Sequence, residues 1–228
     1  MIVRRAGLIE GARAATGFAV IVDVFRACTT AAFCVAAGAT DIVLVSDHEA
    51  ALAMKADDPR LFLVGEIGGR PIPGFDAGNS PSAIERLDLG GRRVVQRTSQ
   101  GTQGVVAATR ASAIALGSFV VAGATARYLR GREEVTLVAM GEAGTGETRE
   151  DEACTGYLES LLLHGQGDAA GAVASARAAT ERRVAAGGTW PDWFPSRDAE
   201  LACEVDRFSF ALPVRREDAL LVARPFFL

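Results

Sequence analysis

Short apolar runs alternate with longer alanine-rich segments along the chain, and this alternation most constrains its fold. Apolar, β-branched runs of strand length are typical of strands that are buried on both faces. Alanine-rich segments that end near a glycine are typical of helices. The alternation therefore predicts an α/β fold, specifically a three-layer α/β/α arrangement in which a largely parallel or mixed sheet is covered by helices.

The boundaries of the predicted elements follow from the apolar runs and from the glycine, proline and capping residues between them. We expect a single domain over residues 1–228, with two closely packed subdomains as the alternative. Residues 65–81 are rich in glycine and proline and are predicted to form a long functional loop. The predicted strands are 19–24, 41–45, 61–64, 93–97, 113–116 and 135–140. The predicted helices are 26–38, 47–56, 82–87, 101–110, 120–129, 150–163 and 169–186.

The composition narrows the class of protein. Of 228 residues, 49% are hydrophobic and 23% are charged, which is typical of a globular protein and excludes a disordered chain. The formal net charge of −4 leaves no basic excess, so we expect no nucleic-acid partner. No apolar run reaches the length of about 18 residues that a membrane helix needs, and charged residues interrupt the N-terminal stretch. We therefore expect no membrane association and a cytoplasmic location.

The cysteines and histidines do not form a metal-binding pattern. The chain has only two histidines, and its four cysteines show no CxxC pair and no zinc spacing. Any metal would therefore be held by oxygen atoms, which favours magnesium, calcium or manganese. The four cysteines are Cys28, Cys34, Cys154 and Cys203. We expect Cys28 and Cys34 to be core residues and Cys154 to pack within its helix.

Acidic residues occur where the predicted strands end. Asp23 closes the first strand, Glu66 follows the third, and Asp151 opens a helix after a second glycine-rich loop. Because ligands bind at the carboxyl ends of parallel strands, we expect these side chains to converge. Carboxylate oxygens suit a hard cation such as Mg²⁺. The candidate catalytic carboxylates are Asp23, Glu66, Asp76 and Asp151, and the candidate metal ligands among them are Asp23, Glu66 and Asp151.

A second group of residues suits an oxyanion. The turn before the predicted helix 101–110 offers backbone N–H groups at a helix N-terminus, and arginine offers paired donors to a phosphate. Together with a metal site, this group indicates phosphoryl-transfer chemistry on a small anionic substrate. The candidate substrate or phosphate contacts are Arg26, Thr29, Arg70, Asn79, Ser80, Thr98, Gly101 and Thr102.

Each of these features also has a purely structural interpretation. Asp23 would serve as a turn or capping residue, Ser80 would cap a helix that begins with Pro81, and Glu66 and Asp76 would be solvated loop charges.

Several known phosphatase chemistries are excluded, because the chain has no Cys-x5-Arg motif, no Asp-x-Asp motif at Asp23 and no Arg-His-Gly triplet.

Five segments resemble motifs of the 2-phosphosulfolactate phosphatase (ComB-like) family, and they occur in the family's order. The most specific is the loop at 65–81, GEIGGRPIPGFDAGNSP, which closely resembles the signature loop of that family. The resemblance covers nearly the whole chain. The other similar segments are DVFRACTT at 23–30, TSQGT at 98–102, Glu150-Asp151 ahead of Cys154 and Gly156, and Asp206 with LPV at 212–214.

The resemblance implies magnesium-dependent hydrolysis of 2-phosphosulfolactate to sulfolactate and phosphate, a step that belongs to coenzyme M biosynthesis in methanogens. Ile67 and Gln100 differ from the usual arginine and asparagine of the family motifs, and Arg97 and Ser99 alter a threonine-rich run. These differences leave two alternatives open, a non-catalytic anion-binding module and a different magnesium-dependent hydrolase on the same scaffold. We expect the aromatic cluster of Trp190, Trp193 and Phe194 to pack internally. The terminal Phe226-Phe227-Leu228 would suit either internal packing or a dimer contact, so a homodimer also remains open.

Overall fold

The computed structural model describes residues 1–142, 146, 148–187 and 191–227. Within these ranges, one mixed sheet is covered by helices. The strands are β1 (Ile2–Gly7), β2 (Phe18–Val22), β3 (Asp41–Val45), β4 (Phe62–Ile67), β5 (Arg70–Pro71), β6 (Ala77–Gly78), β7 (Arg93–Arg97), β8 (Ala113–Gly117), β9 (Glu134–Ala139), β10 (Phe210–Glu217), β11 (Leu220–Ala223) and β12 (Phe226–Phe227). The α-helices are α1 (Leu8–Ala14), α2 (Ala27–Ala36), α3 (His48–Asp57), α4 (Pro81–Ile84), α5 (Gly101–Ala107), α6 (Ala122–Leu129), α7 (Arg149–His164), α8 (Ala169–Gly187) and α9 (Ser196–Ala202).

Local sequence explains several helix boundaries. The Asp47 carboxylate accepts a hydrogen bond from the Glu49 N–H at 3.1 Å and caps α3, as predicted. Ser80 caps α4, and Pro81 occupies the first turn, where its missing N–H is not needed. Helix α7 ends at His164, and the next residue, Gly165, has a φ of 75°, the left-handed conformation that glycine adopts most easily.

The sheet contains two parallel groups of strands that run in opposite directions. One group has the order β1-β9-β2-β8 and the other β3-β7-β4, and the hairpin of β10 and β11 lies between them. Strand β10 is antiparallel to β8, and β11 is antiparallel to both β10 and β3. The hairpin therefore reverses the direction of the sheet at its centre.

Despite this reversal, the carboxyl ends of β2 and β7 lie close together. The side-chain amide of Gln96 on β7 donates to the Ala27 carbonyl at 2.9 Å, just after β2. Strands β2 and β7 are five positions apart in the sheet. Because neighbouring strands rotate by roughly 20–25°, five steps rotate the strand direction by more than about 100° and offset much of the reversal. Strand twist thus allows two opposed groups of strands to contribute to one site.

Apolar side chains alternate between the two faces of the sheet. On β2, Ile21 packs into a core shared with α2 and α5, while Val20 packs into a second core under α6 and α7. On β3, Ile42 belongs to the shared core, while Val43 belongs to a third core under α3. The period of two places helices on both faces. The predicted three-layer α/β/α arrangement is therefore confirmed.

The predicted element boundaries were confirmed only in part. The strands at 41–45 and 93–97 have their predicted bounds, whereas the predicted loop at 65–81 contains the end of β4 and the short strands β5 and β6. Elements β1, α1, α9 and β10 to β12 were not predicted. All four cysteines are buried and free, and the burial of Cys28, Cys34 and Cys154 was predicted. None of the helices in the described ranges combines the length and apolarity that crossing a bilayer requires.

The C-terminal aromatic residues are only partly covered. Phe226 is 42% exposed and Phe227 is 68% exposed. Their rings contact Tyr128 and Phe210, respectively, edge to face. Of the terminal and tryptophan residues that the sequence singled out for packing, Leu228 and Trp190 lie outside the described residues.

Candidate active site

Asp23 is a buried carboxylate directly after β2, with 6% of its surface exposed. Its Oδ1 accepts a hydrogen bond from the Ala27 N–H at 2.9 Å. Burial raises the pKa of Asp23 to about 7, and the negative charges of Glu66 and Glu150 act in the same direction. Hydrogen bonds from the backbone N–H groups of Ala27 and Gly101 oppose this rise in pKa. Asp23 is thus a carboxyl group that titrates near neutral pH.

Asp151 is a second buried carboxylate, in the first turn of α7, with 2% exposure. Its Oδ1 accepts from the Val24 N–H at 2.7 Å and its Oδ2 from the Gly141 N–H at 2.8 Å. Burial raises the pKa of Asp151 well above its usual value, and the charges of Asp23 and Glu150 add to the rise. Asp151 therefore joins the turns after β2 and β9 and repels Asp23 electrostatically.

Glu66 lies near the end of β4 and is 6% exposed, so its interpretation as a solvated loop charge is wrong. Its Oε1 accepts from the Ser99 N–H at 2.5 Å. Its Oε2 accepts from the Gly69 N–H at 2.6 Å and from the Ser99 hydroxyl at 3.0 Å. Glu66 therefore fixes the turn after β4 to the turn after β7, and its charge raises the pKa of Asp23.

Asp76 forms its contacts away from the other three candidate carboxylates. Its Oδ2 accepts from the Leu63 N–H at 2.7 Å, and its carboxylate forms an ion pair with Lys55, the chain's single lysine. Neither contact belongs to the turns that carry Asp23, Glu66 and Asp151. Asp76 thus anchors the long loop against β4, and these contacts give no support to its predicted catalytic role.

Three of the predicted phosphate contacts already have partners within the protein. The Thr98 hydroxyl accepts from the Thr102 N–H at 3.0 Å, and the Thr102 hydroxyl accepts from the Thr98 N–H at 2.8 Å. This reciprocal pair stabilises the turn that leads into α5. The Thr29 hydroxyl donates to the Val24 carbonyl at 2.8 Å. These hydroxyls therefore shape the backbone of the site.

Arg26 and Ser80, two more predicted contacts, meet at a residue that the sequence analysis missed. The Arg26 Nη1 donates to Asp198 Oδ2 at 2.7 Å, and the Ser80 hydroxyl donates to Asp198 Oδ1 at 2.8 Å. The Phe194 ring lies 4.4 Å from the centre of the Arg26 guanidinium group, which is consistent with the internal packing predicted for Trp193 and Phe194. The Arg26 side chain is 3% exposed, so these contacts do not support its prediction as a phosphate ligand.

Two predicted contacts remain able to bind a ligand. Arg70, on β5, is exposed and forms no ion pair with an acidic residue in the described part of the chain. Asn79 is 5% exposed, and its Oδ1 has no hydrogen-bond partner among the described residues. A buried amide oxygen without a partner is unusual and favours a bound donor or cation at that position.

The donor set is chemically suited to a hard cation, although three ligands do not converge. Within residues 1–142, 146, 148–187 and 191–227, no three acidic, histidine or cysteine side chains are placed to hold one metal ion. The predicted set of Asp23, Glu66 and Asp151 is therefore not assembled as a direct triad. Mg²⁺ commonly uses one or two carboxylates, with water and substrate phosphate as the remaining ligands. Two buried carboxylates that repel each other, Asp23 and Asp151, fit that smaller requirement.

Gly101 allows α5 to approach Asp23 closely. A Cβ atom at this position would lie 2.5 Å from the Ala27 Cβ and 3.0 Å from Asp23 Oδ2. We expect Gly101→Ala to lower the free energy of unfolding by about 1–3 kcal/mol, because the starts of α2 and α5 must separate. Urea denaturation measures this change.

Gly156 provides the matched control for that substitution. It lies within α7, and an added Cβ would have only an ordinary contact, 3.6 Å from Arg5 Nη1. Gly156→Ala is expected to leave stability unchanged or to raise it by up to about 1 kcal/mol through helix propensity. A Gly101→Ala protein as stable as the wild type would contradict the proposed close approach.

Comparison with known proteins agrees with the motif resemblance. A family model described as 2-phosphosulpholactate phosphatase matches residues 5–186. Relatives from Caldicellulosiruptor saccharolyticus and Deinococcus radiodurans, both named probable 2-phosphosulfolactate phosphatase, are 36% and 42% identical over 151 residues. These matches cover 64% of this chain and 62% and 61% of the two relatives, so the chain spans about three-fifths of their length.

A longer match comes from a Synechococcus species. That relative has the same name and is 34% identical over 188 residues, which cover 80% of this chain and 74% of the relative. The range of the family model, residues 5–186, includes the turns that carry Asp23, Glu66 and Asp151. The chain belongs to the 2-phosphosulpholactate phosphatase family.

Proposed function

We propose that the protein is a magnesium-dependent phosphatase that hydrolyses a small anionic phosphomonoester, with 2-phosphosulfolactate as the first substrate to test. The observation that carries this proposal is the pair of buried, mutually repelling carboxylates, Asp23 directly after β2 and Asp151 in the first turn of α7. The names of the relatives supply the substrate class.

Asp151 would hold the cation together with the substrate phosphate and water. Its carboxylate is fixed in direction by the N–H groups of Val24 and Gly141, so it presents its remaining lone pairs without rearrangement. When bound, Mg²⁺ supplies polarisation of the phosphoryl group and lowers the pKa of a coordinated water. Because the ion favours ionised carboxylates, it also offsets the repulsion within the acidic cluster.

Asp23 would accept the proton of the attacking water at Oδ2. A general base works best when its pKa lies near the operating pH, and the pKa of Asp23 is about 7. Glu66 would act by holding the turns after β4 and β7 in place. Arg70 would contact the anionic substrate because it is exposed, whereas the Asn79 Oδ1, a buried acceptor without a described partner, would face a donor or the cation.

A phosphate-release assay tests the proposal. The purified protein would be incubated with 2-phosphosulfolactate, 2-phospholactate and p-nitrophenyl phosphate, each with Mg²⁺ and with EDTA. We expect Mg²⁺-dependent release of phosphate, faster from the two esters that carry a further anionic group beside the phosphate than from p-nitrophenyl phosphate. Folded protein that releases phosphate from none of them would contradict the proposal, and tight phosphate binding in that protein would favour the anion-binding alternative.

A further inference from the structure

A buried ion pair connects α9 to the turns of the candidate site. Asp198 lies in the first turn of α9, beyond residue 186, where the match to the family model ends. Its side chain is fully buried and pairs with Arg26, whose side chain is 3% exposed. We infer that Asp198 is a positioning residue, which holds Arg26 and through it the turns that carry Asp23 and Glu66. The inference rests on the proposed function.

Asp198 has a full set of hydrogen bonds. Its Oδ2 accepts from Arg26 Nη1 at 2.7 Å. Its Oδ1 accepts from the Ser80 hydroxyl at 2.8 Å, and from the N–H and hydroxyl of Ser82 at 2.9 and 2.6 Å. One carboxylate therefore fixes three segments that are distant in sequence: the turn after β2, the start of α4, and α9.

Arg26 extends this network toward Glu66. Its Nη2 donates to the Gly69 carbonyl at 3.3 Å, and the Gly69 N–H donates to Glu66 Oε2 at 2.6 Å. The same glycine is packed under Trp193, whose ring would lie 2.3 Å from an added Cβ. The guanidinium group and the Trp193 ring thus hold the Gly69 turn, and this turn holds one oxygen of Glu66.

Arg26 also reaches Asp23 through the backbone. The residue after Arg26 is Ala27, whose N–H donates to Asp23 Oδ1. A shift of the Arg26 backbone therefore moves a hydrogen-bond donor that orients the Asp23 carboxylate. Asp198 itself has no hydrogen bond to Asp23 or Glu66 in the described residues, so it acts on both carboxylates through Arg26.

The Asp198→Asn substitution should remove the charge that pairs with Arg26 while it keeps the size and shape of the side chain. Asparagine keeps a carbonyl oxygen for the serine donors but leaves the guanidinium group without a counter-charge. A buried charge that loses its partner is strongly unfavourable, so Arg26 is expected to turn toward other acceptors. The Gly69 carbonyl then loses a fixed donor, and Glu66 and Asp23 lose part of their positioning.

The test compares three variants of the 228-residue chain in the phosphate-release assay with Mg²⁺. Asp198→Asn removes the charge, and Arg26→Lys keeps the ion pair but loses the fork that reaches Gly69. Asp41→Asn is the matched control, because Asp41 is also buried, at 4% exposure, and pairs with Arg93 at 2.8 Å. This pair lies at the starts of β3 and β7, whereas the candidate site lies beyond the end of β7.

We expect kcat to fall about 100-fold in Asp198→Asn and in Arg26→Lys, because small misplacements of reacting groups have effects of that size. KM should change less than about threefold, since neither side chain reaches the substrate. The Asp41→Asn protein should lose stability but keep its kcat. Folded Asp198→Asn and Arg26→Lys proteins with the kcat of the wild type would overturn the inference.

Hydrogen exchange gives a readout that does not depend on turnover. Exchange at the amides of Gly69 and Ser99 should accelerate in Asp198→Asn and stay unchanged in Asp41→Asn. A wild-type protein without phosphatase activity would contradict the proposed function, and the exchange rates would still decide the inference. Unchanged exchange at both amides would overturn it, whether or not the wild type is active.

Discussion

Asp23→Asn is expected to reduce phosphate release by about 1,000-fold, within the range that a lost general base accounts for. The reason is specific to this carboxyl group, because asparagine keeps an acceptor for the Ala27 N–H but cannot take a proton from water. KM should change little, since Asp23 is assigned to the proton and not to substrate binding. Initial rates with and without Mg²⁺ measure the effect.

The same substitution should stabilise the metal-free protein at alkaline pH. A rise in pKa from 3.8 to about 7 means that folding disfavours the ionised form of Asp23. At 1.36 kcal/mol per pKa unit, the neutral amide avoids a cost of up to about 4 kcal/mol near pH 8. Urea denaturation in EDTA measures this gain. A variant that is inactive and also less stable at that pH would assign Asp23 a structural role.

Asp41→Asn again serves as the control, and its expected change in stability has the opposite sign. Burial raises the pKa of Asp41, but hydrogen bonds and charges from Arg93 and Arg224 outweigh burial, and the net pKa is lowered. Folding therefore favours the ionised form of this residue, and its neutralisation should destabilise the protein near pH 8. Opposite changes in stability for Asp23→Asn and Asp41→Asn would separate the two kinds of buried carboxylate.

The second large effect is on the pH dependence of wild-type stability without divalent cations. The pKa of Asp23 is 3.8 unfolded and about 7 folded, so between these values the folded state binds a proton that the unfolded state has lost. Stability should therefore be fully present below about pH 4 and decline as the pH rises to 7, by up to about 4 kcal/mol from this group. The raised pKa of Asp151 acts in the same direction.

Mg²⁺ should counteract this loss of stability at higher pH. The ion binds the ionised carboxylates of the folded state and not the unfolded chain, so it stabilises the protein more near pH 8 than near pH 5. Thermal unfolding across this range, with Mg²⁺ or with EDTA, measures both trends. A metal-free protein whose stability rises steadily from pH 5 to 8 would show that Asp23 and Asp151 are not charge-repelled in the folded state.

The sequence predicted the parts of the fold that local chemistry determines. Strands 41–45 and 93–97 were correctly bounded because charged residues interrupt the apolar pattern at their ends. Asp23, Glu66 and Asp151 were singled out because each follows a buried strand or opens a helix, and the structure brings these carboxylates within electrostatic range. Local patterns were sufficient where each segment determines its own conformation.

The remaining features depend on partners far away in sequence. Arg26 resembled a phosphate ligand because its motif gives no sign of a buried counter-charge 172 residues later. Asp198 lies in a polar helix start without a catalytic motif, so only its burial distinguishes it. Similarly, no local signal showed that a C-terminal hairpin would separate β8 from β3 and reverse the direction of the sheet.

That hairpin has a consequence for the order in which the protein folds. The two parallel groups are built from residues before 140, but the sheet becomes continuous only through β10 and β11, which lie after residue 209. The two groups therefore join into one sheet only after residues 210–223 have been synthesised, and such long-range pairing is intrinsically slow. We therefore expect the environment shared by Asp23 on one group and Glu66 on the other to be completed late, after each group has formed its own local structure.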